Sequence, residues 1–204
     1  QNLFFNYGTR SGRPTNESLR IFSNRAWEDQ YGVDVLVDGL IRAGKTGMHF
    51  SAVLAGDGSM RADLQEKIKR SSIARQVKFV GRISQAELPE YYNDADIYIS
   101  ASHVDGSSLS LMEAMSCGTV PVVSDIASNK EWVEDGKSGY LFADGDSVHL
   151  ASRLLALDKV RTSLPGLSRQ AQLVAEERAD WNKNQKIMLD GYDLAIRTFR
   201  EQGI

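Results

Sequence analysis

The residues of this chain best suited to chemistry lie between Asp105 and Pro121, in the run DGSSLSLMEAMSCGTVP. Asp105 and Glu113 are carboxylates eight positions apart, and Gly106, Ser107, Ser108 and Leu109 stand between them. An apolar helical pattern (Leu109, Met112, Met115) starts there, Gly118 stops it, and a β-branched run from Val120 to Val123 follows. A loop feeding a helix N-terminus is a common device for holding phosphate. Unpaired backbone N–H groups and the positive end of the helix dipole both face the anion. Two acids flanking such a turn suit a ligand with several hydroxyls next to its phosphates, as in sugars and ribose. Read for structure alone, the same stretch is a buried helix with a cap and a stray acid.

The elements that must position these groups can be followed along the chain. Leu19 to Asn24 reads as a short strand with Arg25 at its carboxyl end. Val33, Leu36, Val37, Leu40 and Ile41 recur on one helical face, with Gly44 as the expected stop. His49 to Ala55 is a near-continuous apolar strand ended by Gly56-Asp57-Gly58, and a helix from about Met60 to Ser71 carries Leu64 and Ile68. Val77 to Val80 is a strand closed by Gly81-Arg82, and Ser84 to Glu87 reads as a capping box opening a helix. Ile97 to Ala101 is the strand that enters the Asp105 loop. After the strand Val120 to Ser124, a second capping box is expected at Ser128 to Glu131, opening a helix that ends near Gly136. Tyr140 to Phe142 is a last short strand, and Val148, Ala151, Leu154 and Leu155 mark the helix after it.

Strand and helix thus alternate about six times, and several strands are apolar throughout. That combination predicts a doubly wound α/β domain, a parallel sheet buried between helices. Ligands of such sheets sit outside the carboxyl ends of the strands, where the strand order reverses. Arg25, the Gly56 loop, Arg82-Ile83 and the Asp105 loop all follow strands. The domain is expected over residues 19–178, with 1–18 as a lead-in or interdomain linker and 179–204 as a C-terminal amphipathic helix. Asp180 caps that helix, and Trp181, Met188, Tyr192, Ala195 and Phe199 form its apolar stripe. The stripe must be buried, either on its own domain or over a second domain or partner.

Composition narrows the function classes. A chain of 204 residues, 42% hydrophobic and with a net charge of −3, has a sizeable core and no basic surface for nucleic acid. No apolar run approaches the ~18 residues of a membrane span, and no signal peptide is visible. The single cysteine, Cys117, excludes an internal disulfide and fits a reducing, cytoplasmic setting; its place on the helix before Gly118 suits packing. His49, His103 and His149 lack ligand spacing, so no metal site is expected.

The stretch DGSSLSLMEAMSCGTVPVVSD resembles the signature of retaining GT-B glycosyltransferases, especially glycosyltransferase family 4 (group 1). The likeness runs through SNRAWEDQYGVDVL, VLAGDG, VKFVGRIS, YYNDADIYISAS and NKEWVEDGKSGYLF, in order, over roughly residues 20–158. A GT-B fold has two Rossmann-like domains facing a cleft, and this chain resembles the carboxyl-terminal, donor-binding half. The resemblance implies an absent amino-terminal acceptor-binding domain as partner and a nucleotide diphosphate sugar as donor. It implies no cofactor and no metal, and a cytoplasmic protein, membrane-peripheral at most when full-length.

The resemblance also assigns residues. Arg25 would hold the diphosphate, and Tyr31 stands where the family often carries a lysine. Asp105 matches the first acid, which touches the donor sugar; the family more often has Glu there. The backbone of Gly106, Ser107, Ser108 and Leu109 matches the loop that meets sugar and phosphate, with Ser108 often a glycine in the family. Glu113 matches the acid that accepts hydrogen bonds from ribose, Arg82 and Ile83 the segment against the base, and Gly56 a turn beneath the site. The implied reaction moves a hexose to an acceptor with its anomeric configuration retained, Arg25 and the helix N-terminus stabilising the departing diphosphate. As an isolated fragment the chain is expected to be inactive. Two other readings stand beside it. One is a non-catalytic nucleotide-sugar-binding or interaction module. The other is a Rossmann oxidoreductase, against which the missing G-x-G-x-x-G counts heavily.

Overall fold

The computed structural model describes residues 18–201; most of the expected lead-in, residues 1–17, and residues 202–204 lie outside the described residues. Six strands alternate with helices: β1 (Leu19–Ser23), α1 (Val33–Lys45), β2 (Phe50–Ala55), α2 (Arg61–Lys69), β3 (Val77–Gly81), α3 (Leu88–Asp94) and β4 (Ile97–Ser100). Then come α4 (Leu109–Ser116), β5 (Val120–Ser124), α5 (Ala127–Lys130), β6 (Tyr140–Phe142), α6 (Ser147–Lys159), α7 (Leu164–Arg178) and α8 (Trp181–Glu201). The strands form one sheet in the order β3-β2-β1-β4-β5-β6, every pairing parallel. The expected Rossmann-like doubly wound fold is present, with its C-terminal helix.

The sequence explains the layering. β4 and β5 are buried at every position, which is why IYIS and VPVVS carry no alternation. On one face Leu36, Leu40, Leu64, Leu150 and Leu154, from α1, α2 and α6, pack with Leu19, Ile21, Ile97 and Val120. On the other, Tyr92, Leu111, Met115 and Ala171, from α3, α4 and α7, pack with Phe22, Tyr98 and Val123. Burying each large apolar side chain contributes about 1.5–3 kcal/mol, so the two clusters hold the sheet rigid under its loops.

Order reverses between β1 and β4. β1 leads through α1 to β2 and β3 on one side, and the chain returns to lay β4, β5 and β6 on the other. The carboxyl ends of β1 and β4 therefore meet with diverging crossovers, leaving a crevice there.

Three local expectations are corrected. Gly44 does not stop α1: the helix runs to Lys45, because Ile73 packs where a Gly44 side chain would be, and the left-handed turn falls at Gly47 (φ +91°). Ser128 does not cap α5; Ile126 holds the N-cap position and Ser128 lies inside the helix with its hydroxyl buried and without a partner. α5 ends at Lys130, well before Gly136. At Ser84 the box closes, since Glu87 accepts from the Ser84 backbone N–H at 3.1 Å, but it shapes the turn before α3. Gly118 stops α4 as expected. Gly118 N–H donates to Met115 O and Thr119 N–H to Ala114 O, both at 2.9 Å, with the glycine left-handed at φ +71°.

α8 does not pack on its own domain. Asp180 caps it through the Asn182 N–H at 2.9 Å, yet none of its residues is buried, and Trp181, Tyr192 and Phe199 are 46%, 60% and 56% exposed. No helix of the described residues is long and apolar enough to cross a membrane.

Candidate functional site

The crevice between β1 and β4 gathers the expected phosphate-binding residues. Arg25 leaves the end of β1 and reaches across to the loop after β4. Its Nη2 lies 2.5 Å from Asp105 Oδ2 and its Nη1 donates to Ser108 Oγ at 3.1 Å. The side chains of Arg25 and Asp105 are only 10% and 17% exposed, so water screens the pair weakly. Tyr31 lies under the guanidinium, 4.5 Å from the Arg25 carbon to the ring centroid. The ring face thus holds the guanidinium in place.

Ser108 is the N-cap of α4. Its hydroxyl oxygen accepts from the Leu111 N–H at 3.3 Å as well as from Arg25, so the residue that starts the helix also ties the arginine to its positive end. Gly106, Ser107 and Leu109 are exposed around that end. A side chain at Gly106 would meet nothing within 4 Å, so the loop leaves open space beside the Arg25–Asp105 pair.

The Gly56 turn packs beneath the Arg25 segment. Trp27 N–H donates to Asp57 O at 3.0 Å, and Met60 N–H to Trp27 O at 3.1 Å. A Cβ on Gly56 (φ +140°) would fall 2.2 Å from the Arg25 carbonyl oxygen, so only glycine lets this turn seat the Arg25 segment. Ile83 is half-buried against the Phe22 cluster. Arg82 is exposed, and among the described residues no ion pair ties it to Asp105.

Glu113 is largely buried. It sits in the second turn of α4, 8% exposed, and its Oε2 accepts from the Tyr92 hydroxyl at 2.9 Å. Burial pushes its pKa up, and the Tyr92 hydrogen bond offsets part of that rise. It is not sealed off: among the described residues no hydrogen bond falls on its Oε1, and that atom is not among the fully buried polar atoms without partners. Tyr98, on β4, feels the charges of the arginine and both acids. Burial pushes its phenol up to about 12, against the lowering influence of the Arg25 charge and the Ser110 hydroxyl, while Glu113 and Asp105 raise it further.

The sequence reading missed Asn24, Tyr92 and Tyr98. Asn24 Nδ2 donates to the Tyr92 hydroxyl at 2.8 Å, beginning a chain that ends on Glu113. Asn24 Oδ1, Arg25 Nε and the Tyr98 hydroxyl are buried without partners, three unmet polar groups on and just after the two central strands. Such groups each cost about 1–3 kcal/mol and mark places where a ligand can repay the fold. The available signal was the pair of tyrosines in YYNDADIYIS, whose hydroxyls need partners once the rings are in the core.

The arrangement brings a cation, a helix N-terminus and two acids together at the carboxyl ends of β1 and β4. Comparison with known proteins gives the family. The family model for glycosyl transferases group 1 matches residues 9–188. The Erwinia amylovora amylovoran biosynthesis glycosyltransferase AmsK is 30% identical over 150 residues, covering 71% of this chain and 37% of the relative. A Mycobacterium leprae phosphatidyl-myo-inositol mannosyltransferase is 29% identical over 149 residues, covering 72% of this chain and 39% of the relative. This chain thus spans well under half the length of either. Among solved structures, Anabaena Alr3699/HepE in complex with UDP-glucose superposes with a TM-score of 0.77 at 23% identity, over 88% of this chain and 50% of that one. A mutant of S. aureus TarM in a complex containing UDP gives 0.78 at 19% identity, over 92% and 38%. With the family model covering nearly all of the sheet and its loops, the chain belongs to the glycosyl transferases group 1 family.

Proposed function

We propose that this chain is the donor-binding half of a retaining GT-B glycosyltransferase of family 4. In that role it moves a hexose from a nucleoside diphosphate sugar to an acceptor held by an amino-terminal domain. The observation that carries the reading is the meeting of Arg25, Asp105 and Ser108 at the start of α4, across the reversal of strand order. Arg25 takes the diphosphate with the backbone N–H groups at Leu109 and Ser110, and so stabilises charge on the departing nucleotide. Asp105 turns from the arginine to the donor sugar. Glu113 accepts from the ribose, and Ile83, with Arg82 beside it, borders the base.

The charge supply in this scheme comes from the protein, and no metal or cofactor takes part. The UDP-glucose in the HepE complex and the UDP and GlcNAc in the complex of the pneumococcal O-GlcNAc transferase GtfA support a nucleotide-sugar donor for this chain too. The exposed stripe of α8 supports the companion reading that an amino-terminal domain covers it in the whole protein. Alone, the chain binds donor without turnover.

A thermal-shift panel of UDP-, GDP- and ADP-sugars tests the reading, with Arg25→Ala and Glu113→Ala as controls. One nucleotide class should raise the melting temperature and both substitutions should abolish the rise. A shift that survives both disproves the site. One observation favours a second reading, a binding module without turnover: Tyr31 leaves a single arginine, itself paired with Asp105, to face two phosphates. Release of sugar from a labelled donor by the longest available form of the protein separates the two.

A further inference from the structure

Tyr92 is fully buried and cannot touch a ligand, yet its hydroxyl lies at the centre of the only route by which β1 reaches Glu113 among the described hydrogen bonds. Its ring is held edge-on by Phe22 at 5.2 Å and by Tyr98 at 6.0 Å between centroids, and its carbonyl oxygen accepts from Thr119 Oγ1 at 2.7 Å. The direction of the hydrogen bonds follows from chemistry. An ionised carboxylate only accepts, so Tyr92 donates to Glu113 and its oxygen must accept, which turns the Asn24 amide nitrogen toward it.

The relay starts one residue before Arg25. The same few residues at the end of β1 therefore set both the cation and, through Tyr92, the deeper acid. With Oε2 held, the Glu113 side chain cannot swing. Its Oε1 and the spare lone pair on Oε2 are presented in one orientation, which suits two adjacent hydroxyls better than one. Without the Tyr92 hydroxyl, Glu113 loses its sole described donor in a site where burial already disfavours its charge.

We propose that Tyr92, oriented by Asn24, is the positioning residue that fixes the Glu113 carboxylate for a ribose diol and thereby sets this chain's preference for ribonucleotides over deoxyribonucleotides. The inference rests on the reading of Glu113 as the ribose acceptor.

The test titrates UDP, GDP and ADP, each beside its 2′-deoxy form, into the chain and into Tyr92→Phe, Asn24→Ala and Glu113→Gln. Inorganic pyrophosphate serves as a probe of the Arg25 end. For the nucleotide that binds, the unaltered chain should prefer the ribo form by about tenfold, the discrimination available to a site built to hydrogen-bond a hydroxyl. Tyr92→Phe should cut the preference to about twofold with pyrophosphate binding unchanged, and Asn24→Ala should cut it part of the way. If Glu113→Gln removes the preference while Tyr92→Phe keeps it, the inference fails and the reading of Glu113 stands. Should Tyr92→Phe not fold, Asn24→Ala decides in the same way. Equal losses of nucleotide and pyrophosphate in Tyr92→Phe mark a general structural role and also overturn the inference. If Glu113→Gln keeps the preference, the reading of Glu113 as ribose acceptor itself is wrong.

Discussion

Arg25 Nη2 and Asp105 Oδ2 lie 2.5 Å apart across the point where strand order reverses, one residue following β1 and the other following β4. The pair is a structural tie between the two strand ends. On the proposed reading the carboxylate stands where a phosphate oxygen would sit on the guanidinium, so a donor must move Asp105 or share the arginine with it.

Asp105→Asn should therefore tighten binding of inorganic pyrophosphate by roughly tenfold, since it removes a like charge from the path of the incoming anion. The same change leaves a largely buried arginine without its counter-charge, so the melting temperature should fall by several degrees. Calorimetric titration and a melting curve check the two parts. Unchanged pyrophosphate affinity would show that the acid does not compete for the arginine.

Ser108 combines two tasks that can be separated. Ser108→Ala removes both the helix cap and the Arg25 contact and should cost about 1 kcal/mol, whereas Ser108→Gly restores a tolerable N-cap and should cost only a few tenths. Both should weaken nucleotide binding by about threefold through the lost hydrogen bond to Arg25. Denaturant melts paired with titrations distinguish the tasks. Equal stability of the two variants would deny Ser108 its cap.

The burial of Glu113 gives a signed dependence on pH. Its folded pKa is raised above the ordinary 4.5, so between those two values the folded chain holds more protons than the unfolded one. Stability then falls as pH rises through that window. Glu113→Gln should melt a few degrees higher than the unaltered chain at pH 7, and the gain should vanish below about pH 4. A variant that melts lower at pH 7 contradicts the assigned burial. Nucleotide binding should weaken on acidification from a pH above 4.5, because the protonated acid no longer accepts from both ribose hydroxyls.

The layered fold was legible in the sequence because its signals are local. The unbroken apolar runs at Ile97–Ser100 and Val120–Ser124 encode buried parallel strands, and Gly118 encodes a helix stop. The errors came where a distant residue decides. Gly44 has the right type and place for a stop, but Ile73, far along the chain, packs on it and the helix runs on to Lys45. Ser128 has the spacing of a capping box, but the chain enters α5 two residues earlier, at Ile126. At the site, strand ends located Arg25 and Asp105, while Asn24 and Tyr92 were invisible. Their role exists only as hydrogen bonds spanning 68 and 21 positions of sequence. The stripe on α8 was readable as amphipathic, but amphipathicity does not say what lies on the other side.

That last point has its own test. Ending the chain at Asp180 removes no buried residue among the described ones, so it should change the melting temperature by less than about 2 °C while abolishing binding of a hydrophobic dye. A much larger loss would mean that α8 stabilises the sheet domain after all.

The most direct measurement is a crystal structure of the chain soaked with UDP, GDP and ADP in turn. The diphosphate of the bound nucleotide is expected within hydrogen-bond reach of Arg25 and of the backbone N–H groups at Leu109 and Ser110, with the ribose on Glu113. Density for the diphosphate elsewhere, with Asp105 still closed on Arg25, would contradict it.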